Sequence, residues 1–419
     1  MMRKRRRERA AARTFEEESP QSPGRSVSVE IERIVPGGAG LAHADGRTIF
    51  VGLAAPGDHL RVRINQTRGR VAFASILEII KPSPSRVEPL CPYFGRCGGC
   101  DFQQLDYEAQ LDAKVQIIRD CLRRIARLEP TPEIPITPSP RAWHYRSRAQ
   151  WQFDPLRKHL GYFERGSHSV CDVVECPVII EPLQEALTSL RRQAQDDSFP
   201  EATEFQAVAG DEGASLVPPV GTNAAREVSR NIGGRRYRFN ADGFFQINHE
   251  LLATLIAAAL KDTHGERAID LYCGVGLFTL PLAGRFAHVV GVEANETAIS
   301  YARRNLQDAQ LTNAAFECAK VSDWLTAHSQ ESMPVDLLLL DPPRAGAEEG
   351  AIRSIITLSP KRISYVSCDP ATLARDLKYL IEGGYRLDSV AAFDMFPQTH
   401  HVETVAHLSR RILINHKSP

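Results

Sequence analysis

Cys368 closes a short apolar stretch in "YVSCDP", residues 365–370, and Asp-Pro follows at once. A thiol in that place is either a small core residue or a nucleophile held out at a sheet edge. A free thiol is only about 3% thiolate at pH 7, so nucleophilic work needs a group that activates it. Two carboxylates are candidates. Asp341 ends the apolar stretch of "LLLLDPPRAG", and Glu403 lies in "MFPQTHHVETV". A carboxylate held by a His-rich loop can act as a base. His400 and His401 are adjacent and lack a third ligand, which argues against a metal there.

A second group of thiols lies in "CPYFGRCGGC". Cys91, Cys97 and Cys100 are spaced C-x5-C-x2-C, and three thiols so close point to a metal site. Gly98 and Gly99 free the backbone to wrap an inorganic group. Zinc ribbons use two short knuckles, and only one is present. A [4Fe–4S] cluster tolerates this spacing and needs a fourth thiolate, for which Cys176 in "ECPVI" and Cys171 are the candidates. The chain has nine cysteines, an odd number, and no apolar segment after its basic start. A disulfide framework and a secretory signal are therefore not expected. Cys121 is expected in a helix core, Cys318 buried, and Cys273 a small residue at a ligand loop.

These residues need elements to hold them. "RAIDLY", "AHVVGVE", "VDLLLLD" and "RISYVS" are near-continuous apolar strands alternating with helical stretches, the pattern of a parallel sheet covered on both faces. "DLYCGVGLFTL" follows the first strand with Gly274 and Gly276, and Glu293 comes 23 residues after Asp270. Glycines at a strand tip let backbone approach a ligand, and an acid at the next tip can bind ribose hydroxyls. The third glycine of a dinucleotide fingerprint is missing. Asp341 and Cys368 end neighbouring strands, so both should face the crevice where α/β sheets bind ligands.

Upstream, residues 27–80 alternate as four to five short strands, a small barrel, with Arg61, Arg63, Arg68 and Arg70 as possible phosphate contacts. Leu111, Val115, Ile118, Leu122 and Ile125 recur at helical spacing within 105–128. "EPTPEIPITPSP", with five prolines, reads as a linker. "RAWHYRSRAQW" and "RRYRF" interleave arginines, which pair with phosphate, and aromatics, which stack on unpaired bases, but either segment alone reads as an amphipathic strand with solvated arginines. Hydrophobic residues are 43% and charged residues 24%, values of an ordinary globular protein, and the formal net charge of zero says nothing about partners. The opening "RKRRRER" and the following "EEE" predict a disordered tail. The longest apolar run, "LLATLIAAAL", is too short to span a bilayer, so no membrane role and a cytoplasmic location are expected.

"ADGFFQIN", "DLYCGVGLFTLPLA", "DPPRAG", "YVSCDPATLARD" and "MFPQTHHVETV", in this order, resemble the RNA uracil-5-methyltransferases. The resemblance runs from about residue 27 to the C-terminus, and the barrel looks like a TRAM domain, a small RNA-binding fold. It implies an α/β fold class: a Rossmann-like class I methyltransferase domain, an N-terminal β-barrel and a central α+β iron–sulfur domain. The implied divisions are 1–24 tail, 25–83 barrel, 84–235 central domain and 236–419 catalytic domain. The implied cofactors are S-adenosylmethionine and a [4Fe–4S] cluster on Cys91, Cys97, Cys100 and Cys176. Cys368 is implied as the nucleophile on uracil C6 and Glu403 as the base, with Asp341 between cofactor and uracil. Gln246, Tyr272, Gly274, Gly276 and Glu293 match cofactor positions, and Phe244 is implied to stack on the target base. Two positions depart: Leu277 stands where relatives often carry Asn, and Lys320 where a polar adenine-side contact is expected, with Asp323 the substitute. RNA is the implied partner, 23S ribosomal RNA before transfer RNA, with Arg146 and Arg148 the best-placed contacts and no obligate protein partner. The rivals are an RNA cytosine-5 or amino methyltransferase and a non-catalytic RNA-binding factor on the same fold.

Overall fold

The computed structural model describes residues 25–195, 199, 202–220, 227–330 and 333–411. The tail expected at 1–24 lies outside the described residues.

The N-terminal sheet has six strands, in the spatial order Ser26–Glu30, His59–Arg68, Val71–Lys81, Arg47–Val51, Gly40–Ala44, Arg33–Ile34. Alternate residues Val29, Ile49, Val51, Leu60 and Val62 close a separate small core. Arg61 pairs with Glu78, whereas Arg63, Arg68 and Arg70 are exposed and form no ion pair among the described residues. The middle of the chain builds an antiparallel sheet of five strands: Val170–Asp172, His159–Phe163, Arg148–Asp154, Glu204–Gly210 and Gly213–Val217. Helix Glu181–Gln193 covers it, burying Leu183, Leu187 and Leu190 with Trp151 and Phe205.

The C-terminal sheet contains β1 (Gly265–Leu271), β2 (Phe286–Glu293), β3 (Ala314–Cys318), β4 (Leu337–Leu340), β5 (Arg362–Ser367), β6 (Tyr385–Phe393) and β7 (Glu403–Arg410). Their order is β3-β2-β1-β4-β5-β7-β6. β1 to β5 are parallel, as their apolar runs predict, while β7 enters antiparallel between β5 and β6. The chain order reverses between β1 and β4, which opens the ligand crevice at their C-terminal ends. The proline-rich stretch read as a linker contributes a strand of its own: Ile136–Thr137 extends the sheet beside β6. The boundary drawn between residues 235 and 236 falls inside the strand Arg235–Phe239, which pairs with Val228–Ile232. Val228, Tyr237 and Phe239 pack into the catalytic core, so we propose that the catalytic unit starts near Val228. Cys318, expected to be buried, is exposed, because it ends an edge strand that has a neighbour on one side only.

Helix Tyr107–Arg124 is shorter than the predicted 105–128. The Asp106 side chain caps it by accepting from Ala109 N at 2.8 Å. Val115, Ile118, Cys121 and Leu122 pack on Leu373 and Leu377 of helix Pro370–Glu382, whereas Ile125, past the helix end, is exposed. The polar face is also covered: Lys114 is fully buried and paired with buried Asp394. No described helix is long and apolar enough to cross a membrane.

Candidate active site

The strand β5 stops at Cys368 because the next residue starts a helix. Asp369 accepts from Ala371 N and Thr372 N, both at 2.9 Å, and Pro370 occupies the first turn, where its missing N–H costs nothing. Cys368 thus stands between a strand tip and a helix N-terminus, partly buried. Ser367 is in register with Thr404, and Thr404 Oγ1 donates to Ser367 O at 2.8 Å. That register sets Cys368 across from Glu403, the first residue of β7. Glu403 is buried, and its Oε1 has no hydrogen-bond partner.

Asp341 projects from the end of β4, and Asp341 N donates to Leu271 O of β1 at 3.3 Å. Gln246 Nε2 donates to Asp341 Oδ2 at 3.2 Å, which joins the "FFQIN" loop to the strand tip. Tyr272, Gly274 and Gly276 all have positive φ, so the chain after β1 is coiled tightly. A side chain at Gly276 would strike Leu280, whereas nothing lies within 4 Å of one at Gly274. Glu293 caps this loop: it accepts from Gly274 N at 3.2 Å and Asn295 N at 2.8 Å. The open backbone at Gly274, the Glu293 carboxylate and the Gln246–Asp341 pair fit a nucleoside with a charged sulfonium. Leu277 is buried and its carbonyl is taken by Tyr237 Oη at 3.3 Å. Asp323 and Lys320 are both exposed, at the start of helix Val321–His328.

Sequence reasoning passed over Asp270 as a functional group. It is fully buried inside β1, accepts from Thr279 Oγ1 at 2.5 Å, and leaves Oδ1 unpaired. A lone acid inside "RAIDLY" was the available signal. Burial, with the charges of Asp341 and Glu293, raises Asp270 to about 7. Burial also raises Asp341 to about 7, against the opposing hydrogen bond from Gln246. Burial, then Glu403 and Asp341, push the Cys368 thiol up to about 12, with Arg344 pulling it down. Glu403 is held well above the usual carboxylate range by burial and by Asp341. Its neighbour His401 is lowered to about 3 by burial first and is neutral at pH 7.

A cation arriving beside Asp341 favours its ionised form, so it must displace a proton at low pH. S-adenosylmethionine affinity should therefore rise up to about tenfold per pH unit below about 7 and level off above it. Calorimetry across pH 5.5–8.5 checks this. In Asp341→Asn the slope should flatten, leaving only the weaker dependence that Asp270 contributes.

Cys91, Cys97, Cys100 and Cys176 line one pocket together with Tyr93, Gln103, Arg146 and Tyr162. Gly99 N donates to Cys97 Sγ at 3.4 Å. Cys171 is buried in its strand and accepts from Arg96 Nε at 3.3 Å, and it does not line this pocket. Burial raises Cys97 and Cys100 to about 12. Among the described residues, no three metal-binding side chains converge closely enough to hold a single ion.

The basic and aromatic segments divide. Phe244 is 62% exposed, while Phe245 beside it stacks on Phe239 at 3.9 Å. Arg148 does not point freely to solvent: its guanidinium binds the carbonyls of Ala241 and Gly243 and the Gln206 side chain. It holds the loop that presents Phe244 and Gln246. Arg146 faces the cysteine pocket, its Nε on Arg148 O at 2.9 Å. In "RRYRF", Arg236 pairs with Glu212, and Arg238 with Glu227 and Asp308. His400 is taken by Asp101, at 2.9 Å through its N–H and 2.5 Å through Nδ1.

The tRNA (Uracil-5-)-methyltransferase family profile matches residues 225–411, and the TRAM domain profile matches residues 20–77. A 23S rRNA (uracil(1939)-C(5))-methyltransferase of Shewanella halifaxensis is 34% identical, over 91% of this chain and 95% of that protein. An uncharacterized RNA methyltransferase of Thermosynechococcus vestitus is also 34% identical, over 92% and 98%. The crystal structure of Pyrococcus abyssi tRNA (uracil-54, C5)-methyltransferase in complex with S-adenosyl-L-homocysteine has a TM-score of 0.70 and 27% identity, covering 91% of this chain and 100% of that one. With a crevice between the tips of β1 and β4 and a thiol and a carboxyl facing each other across β5 and β7, the chain belongs to the RNA uracil-5-methyltransferase family.

Proposed function

We propose that the protein methylates C5 of one uridine in RNA, with large-subunit ribosomal RNA as substrate. The observation that carries this reading is the β5–β7 register, which sets Cys368, one residue past β5, across from Glu403, the first residue of β7, at the mouth of the crevice. C5 of uracil is a weak nucleophile. In the proposed route the Cys368 thiol loses its proton to solvent and the thiolate bonds to C6. The C5–C6 double-bond electrons then form an enolate, which makes C5 nucleophilic. S-adenosylmethionine supplies an electrophilic methyl group to C5 and leaves as S-adenosylhomocysteine, the electron pair of the broken S–CH3 bond staying on its sulfur. Glu403 then takes the C5 proton, the C5–C6 double bond reforms, and the C6–S bond breaks to release the thiolate. Asp341 and Gln246 lie between cofactor and base, and the Gly274 backbone and Glu293 hold the nucleoside. Asp323 is the proposed adenine-side contact. Phe244 is the exposed ring on which a base flipped out of its stack can rest. Arg148 serves RNA binding by fixing the Phe244 loop, and Arg146 acts near the cysteine pocket rather than at an open phosphate groove.

The four cysteines are proposed to hold a [4Fe–4S] cluster. What supports this reading is that all four thiols line one pocket. Arg146 and the Gly99 N–H supply the positive side that an anionic cluster needs. Methyl transfer requires no electron, so the role assigned is structural. Anaerobically purified protein should contain about four irons per chain, and Cys176→Ala should lose them whereas Cys171→Ala should not.

The deciding experiment incubates the protein with labelled S-adenosylmethionine and, separately, unmodified large-subunit ribosomal RNA and transfer RNA, followed by nucleoside mass spectrometry. Label in 5-methyluridine from the ribosomal RNA is the expected result. The same label from transfer RNA alone would move the substrate to the second reading, which the Pyrococcus likeness favours. Label in a cytidine or adenosine would overturn the uracil chemistry.

A further inference from the structure

The Glu403 carboxylate has no hydrogen-bond partner on Oε1, so the backbone leading into β7 must fix its position. That backbone is the connection between β6 and β7, residues 394–402, and it is held from outside the catalytic sheet. Gln398 lies at its centre with φ of 66°, a conformation that non-glycine residues adopt at a cost of about 1–3 kcal/mol. Five hydrogen bonds offset this. Gln398 N donates to Gln110 Oε1 at 2.9 Å, and Gln110 Nε2 returns a bond to Gln398 Oε1 at 3.0 Å. Gln398 Nε2 donates to Ala142 O at 3.3 Å, and Gln398 O accepts from Asp101 N and Phe102 N at 3.1 and 3.0 Å. On either side, Tyr145 Oη donates to Pro397 O at 2.9 Å, and Asp101 accepts twice from His400.

The origin of these groups is the informative part. Asp101 follows Cys100 directly, and Tyr145 precedes Arg146, so both reach the loop from the wall of the cysteine pocket. Gln110 and Tyr145 are 1% exposed, so no solvent competes for their bonds. We propose that Asp101, Gln110 and Tyr145 are positioning residues that aim Glu403 at C5, and that the cysteine segment is the foundation on which this aim is set. The proposal rests on the reading of Glu403 as the base.

A misaimed base leaves thiol addition and methyl transfer intact and slows only the final elimination. The methylated RNA–protein adduct at Cys368 should then accumulate, which a general loss of structure would not produce. The test is a single turnover with unmodified large-subunit ribosomal RNA and methyl-labelled S-adenosylmethionine. Two readouts are taken: labelled covalent adduct on a denaturing gel, and the rate of 5-methyluridine release. Tyr145→Phe removes one hydroxyl and keeps the ring, so it covers the case in which Asp101→Ala folds poorly. Release should slow about 10- to 100-fold in both, in line with the cost of a small misplacement of a catalytic group, with adduct rising and RNA affinity, from a separate binding titration, within about twofold. Asp101→Asn keeps an acceptor for His400 N and should restore part of the rate. Hydrogen exchange of the 396–401 amides should quicken in step with the loss. Release and adduct falling together, or unchanged release, would overturn the proposal. Glu403→Gln runs alongside: adduct there but not in Tyr145→Phe or Asp101→Ala defeats the positioning role alone, and no adduct there defeats the base assignment and the proposal with it.

Discussion

Cys368→Ala should abolish 5-methyluridine formation, by a factor on the order of 10^4 or more, while cofactor and RNA binding persist. The size follows from the chemistry. Without addition at C6, C5 stays an unactivated vinyl carbon. No covalent RNA adduct should form either, and Cys368→Ser should be nearly as inactive because a hydroxyl ionises far less readily than a thiol. The free thiol itself should be sluggish. Burial and the carboxyls of Glu403, Asp341 and Asp369 outweigh Arg344 and push it up to about 12, so very little of it is thiolate at pH 7. Iodoacetamide should therefore alkylate Cys368 slowly in the free protein, and faster once S-adenosylmethionine brings a positive charge beside Asp341. An amino methyltransferase needs no adduct, so retained activity in Cys368→Ala, read by nucleoside mass spectrometry, would favour that rival.

The strand tips that carry Tyr272, Asp341 and Cys368 were legible because each ends a run of apolar residues, and a parallel sheet buried on both faces leaves its signature in such runs. The position of β7 was not legible. Only Val405, Ala406 and Leu408 of its residues are apolar, so "ETVAHLSR" lacks the apolar run that marks the parallel strands, and nothing in it announces an antiparallel neighbour for β5. Ile136–Thr137 was hidden by the prolines around it, which an edge strand tolerates. The arginines misled for a different reason. Arg148 lies in a pattern that reads as RNA-binding, but its partners Ala241 and Gly243 are more than 90 residues away in sequence. Gln110 and Lys114 show the same limit from the other side. Helical periodicity assigns them to a polar outer face, and both are buried against residues 394–398, on the far side of the chain. Polar pairing between distant segments leaves no periodic trace.

Glu403→Gln should separate methyl transfer from release. Cys368 can still add and C5 can still take the methyl group, but the C5 proton has no acceptor, so turnover should drop by about 10^2–10^4 and the labelled adduct should persist. A single round of label bound to protein, with little free 5-methyluridine, is the expected record on a denaturing gel. The pH dependence gives a second check. Glu403 is raised above the usual carboxylate range, and only its ionised form is a base. Elimination in the native protein should thus slow as pH falls, approaching tenfold per unit below the pKa of Glu403 in the adduct, and the slope should vanish in Glu403→Gln. Stability supplies the control. Because Oε1 already lacks a partner in a buried site, an amide in its place leaves a polar group equally unsatisfied, and the change in folding free energy should stay within about 1–3 kcal/mol. A protein that keeps its melting transition, binds RNA and traps the methylated adduct would have lost the base alone. One that releases 5-methyluridine at the native rate would require another proton acceptor, and Asp341, the other carboxyl facing Cys368, is the first to test.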